Sequence, residues 1–210
     1  MDAPKFRLFD LFAHILPGFV VILIVQLIYV DLDIEFKCFT DKAFSYGEDF
    51  KIYTFLFLVI ISYVVGFIFH FIGKLYFKFF GKLIWKKQFD KIKTHSYIDD
   101  EEKLAIIKHH SEGNFIYIEI WYALRNMSFN LSLASLVLFI VLTLKIEYSL
   151  KNGIEWFIFT FSCLLSAIVL LKTSLYYHKL AHNLKYYVIN TLKLLNTENK
   201  QQINIKFDNK

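Results

Sequence analysis

Residues 55–93 constrain the fold more than any other stretch of the chain. They open with FLFLVIISYVVGFIFHFI, residues 55–72, which hold no Asp, Glu, Lys or Arg. Such a run covers ~30 Å of hydrocarbon at ~1.5 Å per residue, the span of a bilayer core. With no proline to interrupt it, the sequence continues as GKLYFKFFGKLIWKKQFDKIK. Lys74, Lys78, Lys82 and Lys86 follow at four-residue spacing, so one side of a continuing helix carries a ladder of ammonium groups. One element therefore passes from lipid into an aqueous, anionic surrounding.

The remainder of the chain repeats this arrangement. Apolar runs at about 11–30, 127–144 and 154–171 predict three further spans. Scarce Gly (7) and Pro (2) beside 24 Phe and 13 Tyr favour long unbroken helices over turn-rich strands. No ten-residue alternating segments suggest a β-barrel. The predicted class is all-α: a four-transmembrane-helix bundle, 1–210 as one integral membrane domain. Pro17 and Gly18 are expected near the start of the first span, where proline is tolerated. That first run is too long for the core of a cleavable signal.

Basic residues set the expected orientation. The first loop holds Lys37, Lys42 and Lys51 against six acids, and the third holds Lys151. The second carries ten bases and the segment from Lys172 carries seven. The positive-inside rule then places both termini and the second loop in the cytoplasm, with the chain in the cell (inner) membrane. Helical extensions at about 73–126 and 172–196 would form a small cytoplasmic region, followed by a flexible tail at 197–210. Asp99, Asp100, Glu101 and Glu102 suit a helix N-terminus, and Gly113-Asn114 suits a turn. These extensions can either pack as a domain or lie on anionic lipid, because Trp85 and several Phe residues alternate with the lysines. The same mixture of bases and aromatics can hold single-stranded RNA.

Few residues suggest chemistry. His14 and His70 lie at matching depth in the first two spans, where paired imidazoles could ligate haem or a metal, or simply sit as interfacial rings. His178 and His182, at i and i+4 in HKLAH, could share a zinc ion. Lys179 stands where a zinc protease needs Glu, so the pair also reads as the polar face of a helix. Arg125 reads as an anchor reaching back to headgroups. Ser62, Ser132, Ser135, Thr143, Thr160, Ser162 and Ser166 read as interhelical hydrogen-bond partners. No acid lies mid-span, and Gly-rich phosphate loops, Cys-x-x-Cys and G-x-S-x-G are all lacking from the sequence. We therefore expect no catalytic residues, no metal and no cofactor.

The opening Phe9-Asp10-Leu11-Phe12-Ala13-His14-Ile15-Leu16-Pro17-Gly18 resembles the head of small membrane proteins from bacterial antiviral defence loci. With four spans and a basic loop, the chain is similar to the multi-span accessory protein of type VI-B CRISPR systems. That resemblance implies a non-enzymatic membrane regulator or effector beside an RNA-guided RNase. Its partners would be the bilayer, that RNase or RNA, and further copies of itself. Only Arg7 and His14 correspond to the Arg–His pair of nuclease-like accessories, and no active-site residue is carried over. The alternatives are a small channel- or transporter-like bundle and a haem- or metal-binding protein using the paired histidines.

Overall fold

The computed structural model describes residues 8–29, 52–84, 100–145 and 154–208. Five helices follow one another: α1 (Leu8–Tyr29), α2 (Ile52–Ile84), α3 (Asp100–His110), α4 (Glu112–Leu144) and α5 (Ile154–Asp208). There is no strand among the described residues. Four helices are long and apolar enough to cross a membrane, at Leu11–Ile28, Phe55–Leu83, Glu112–Leu144 and Ile154–Leu192. The fold is an all-α bundle of a multi-pass membrane protein. Lys86, the first loop at 30–51, and the Asn152-Gly153 turn lie outside the described residues.

Length decides what lies beyond the bilayer. A helix needs ~20 residues to cross. The 33 residues of α4 and the 55 of α5 exceed that, and the first turns of α4 pack with the later turns of α5 at one end of the bundle, called the projecting end below. Residues 154–208 contain neither Gly nor Pro, and α5 runs helical to Asp208 through the stretch expected to be a flexible tail from 197. Pro17 sits well inside α1, not at its start, and is fully buried. Membrane helices tolerate an interior proline because neighbouring groups re-satisfy the freed carbonyl.

Three packed layers run along the bundle. Leu27, Leu142, Trp156 and Cys163 close the end where α5 begins. Phe77, Phe129, Leu171 and Leu175 form the middle layer. Ile107, Ile118, Ala181, Val188 and Ile189 fill the projecting end, where α3 folds back on α4 and α5. This last layer is a small helical unit continuous with the spans. At the opposite end, Lys145 donates to the carbonyls of Leu27 at 2.9 Å and Ile28 at 3.0 Å. A cation there satisfies carbonyls that α1 leaves open at its C-terminus.

The break between α3 and α4 falls at Ser111, earlier than the Gly113-Asn114 turn. Ser111 leaves helical geometry at φ −153° and ψ 72°, while Gly113 and Asn114 lie in the first turn of α4. Asn114 Nδ2 donates to Ser111 Oγ at 2.8 Å, a local bond that asparagine makes readily at helix starts.

Candidate functional site

The inner face of α2 carries Ser62, Gly66, His70, Gly73 and Phe77, at three- and four-residue steps. The glycines set how near the neighbours come. A Cβ on Gly66 would strike the His14 carbonyl, and one on Gly18 would strike the Ser62 carbonyl. The two contacts are reciprocal, so α1 and α2 meet backbone to backbone. Small residues allow this in membranes, where close packing rather than water exclusion joins helices.

That approach brings the two histidines together. The His14 and His70 ring centroids lie 5.1 Å apart, edge to face. Tyr63 and Phe67 flank His14, and Phe129 stacks on His70 at 5.3 Å. Asn130, fully buried on α4, donates from Nδ2 to His70 Nδ1 at 3.0 Å. With Nδ1 accepting, the ring's proton lies on Nε2. Edge contact between the rings leaves no slab in which a haem could lie between two axial ligands. The arrangement is a polar junction of three helices.

A second junction joins α2, α4 and α5. Ser132 Oγ donates to the Ala167 carbonyl at 2.7 Å, spending its only proton. Tyr76, 3.0 Å from the same oxygen, is therefore the donor to it. The relay Tyr76–Ser132–Ala167 ties α2 to α4 to α5. Interhelical bonds of this kind contribute about 0.6 kcal/mol each. Among the span hydroxyls, Thr143, Thr160 and Ser162 instead bond carbonyls three or four residues back in their own helices. These are not the interhelical partners expected of them, because the preceding turn is the nearest acceptor available.

Arg125 corrects another expectation. It does not reach out to headgroups but turns into the α4–α5 seam. Its guanidinium packs 4.7 Å from the Tyr122 ring and donates to Asn126 Oδ1 at 2.9 and 3.2 Å. It also lies 3.3 Å from His178 Nδ1. Arginine only donates, so Nδ1 accepts and His178 carries its proton on Nε2. A guanidinium beside that ring also repels a cation, so the His178–His182 pair is not poised to bind zinc. His109 and His110, at the end of α3, contact each other at 4.8 Å. Among the described residues no group of three or more His, Cys, Asp or Glu could hold a metal ion.

No protein-family model matches the chain, and no curated protein or solved structure matches it. Lys74, Lys78 and Lys82 are exposed on α2, away from the junctions. The matching depths of His14 and His70 are legible in the sequence, whereas the parts played by Asn130, Gly66 and Gly73 are not. The spacing Ser62-x-x-x-Gly66 was the available signal, since small residues four apart mark a contact face.

Proposed function

We propose that this chain is a non-enzymatic regulator of a bacterial inner membrane, acting in antiviral defence on an RNA-guided RNase. Both termini and the projecting end would face the cytoplasm, where the basic residues gather. The observation that supports a regulatory role most is the continuity of α4 and α5. Each passes unbroken from the membrane layers into the projecting layer around Ile118 and Val188. A partner bound at the projecting end would act directly on helices that span the bilayer. Asn130, Tyr76 and Ser132 join helices through their hydrogen bonds. The resemblance of residues 9–18 to defence-locus membrane proteins supplies the partner class.

Exposed Tyr117, Tyr186 and Tyr187 lie on the projecting helices and suit a protein contact, where aromatic residues are enriched. The test is affinity purification of tagged full-length protein from cells expressing the RNase and its guide RNA. Recovery of the RNase, and its loss on Tyr117→Glu with Tyr187→Glu, is the expected result. Absence of the RNase from properly inserted wild-type protein contradicts this function.

A further inference from the structure

α2 presents a second face, opposite its glycines, and that face changes character along the helix. Val64, Ile68, Phe71 and Leu75 are exposed and apolar. On the same line, one and two turns on, stand exposed Lys78 and Lys82, with Lys74 at the margin. Between them an open groove of about 680 Å³ is lined by Leu75, Lys78, Phe79, Lys82 and Leu83. Phe79 and Leu83 are 64% and 68% exposed, which water would oppose and acyl chains would satisfy. No carboxylate among the described residues pairs with Lys78 or Lys82.

We propose that this groove docks an anionic phospholipid. The headgroup phosphate sits between the Lys78 and Lys82 ammonium groups, and an acyl chain runs along Leu75, Phe79 and Leu83. Charge complementarity selects the headgroup: two cations one turn apart, with no carboxylate paired to them among the described residues, match one phosphodiester. Continuity selects lipid over nucleic acid. The groove extends the stripe from Val64 to Leu75, which lies in the apolar span of α2 and which a nucleic acid cannot follow. Lysine suits the role because its stem lies on apolar surface while its ammonium reaches the phosphate. The proposal rests on the membrane-spanning reading and is independent of the regulatory one.

The experiment is native mass spectrometry of the full-length protein in neutral detergent. Phosphatidylglycerol and phosphatidylcholine with the same acyl chains compete for adduct formation. A preference of about tenfold for phosphatidylglycerol is expected from two lysines near a phosphate. Lys78→Gln with Lys82→Gln should abolish it, while Lys172→Gln with Lys179→Gln, an equal loss of charge on α5, should keep it. Equal uptake of the two lipids, or a preference unchanged in the α2 variant, overturns the proposal. So does retention of an oligouridylate through Lys78 and Lys82 without lipid preference. Carbonate extraction of the same preparations separates the two failures. Protein that stays in the membrane without lipid preference refutes the groove alone, whereas protein released as soluble refutes the spanning reading beneath it.

Discussion

The helix pairs α1–α2 and α4–α5 are joined by opposite means. α1 and α2 touch through backbone, at Gly18 against Ser62 and at Gly66 against His14. α4 and α5 touch through side chains, in three successive layers from Trp156 to Val188. α2 and α4 also differ in burial, 11% of the apolar stretch against 39%, while α1 and α5 are alike at 28%. A backbone contact has no side chain to yield, so it is sensitive to a single methyl group. A layered contact can lose one layer and keep the others. The first pair is therefore a fixed joint, and the second a spine that can carry a change along its length.

Substitutions can break this contrast, beginning with the largest effect. Gly66→Leu should separate α1 from α2 at a cost of about 3 kcal/mol, the upper range for forcing bulk into a packed site. A thermal-shift assay in detergent measures it, and a change under ~1 kcal/mol would show that the helices do not meet at backbone distance. Trp156→Ala removes the largest fully buried side chain and should cost about 3 kcal/mol by leaving a cavity. Because the layers are separate, protease resistance of the projecting end should persist, and its loss would show that the spine is a single unit. Ile118→Ala should do the converse at about 2 kcal/mol, raising proteolysis near α3 while the span layers hold. Asn130→Leu and Tyr76→Phe each remove one interhelical bond and should cost about 0.6 kcal/mol apiece. A markedly larger loss for Asn130→Leu would give the His70 junction a role beyond packing.

Some features of the fold are recorded locally in the sequence and others are not. The spans were legible because hydrocarbon imposes a length on apolar runs, and 55–72 has that length with no charge. The acidic start of α3 was legible because carboxylates favour helix N-termini. The seam residues were not. Arg125 looks like an anchor in sequence, and only the approach of α5, with His178 facing it, turns it inward. Asn130 acquires its role from His70, sixty residues earlier, and nothing in either neighbourhood records the pairing. Hydroxyls misled for the reverse reason, since their preferred acceptors lie in their own helix. The Ser111 break was missed because Gly-Asn is a strong turn signal, yet a helix start accommodates both residues.

The arrangement of the helices across the bilayer is the claim on which the rest depends. Single cysteines at Lys108 and Asn183, on the projecting helices, and at Glu155, at the start of α5, test it in a background with Cys38 and Cys163 replaced by serine. A membrane-impermeant maleimide applied to intact and to opened cells reports the side of each. The account expects Lys108→Cys and Asn183→Cys to label only after opening, and Glu155→Cys to label in intact cells. Labelling of all three from the same side would contradict it.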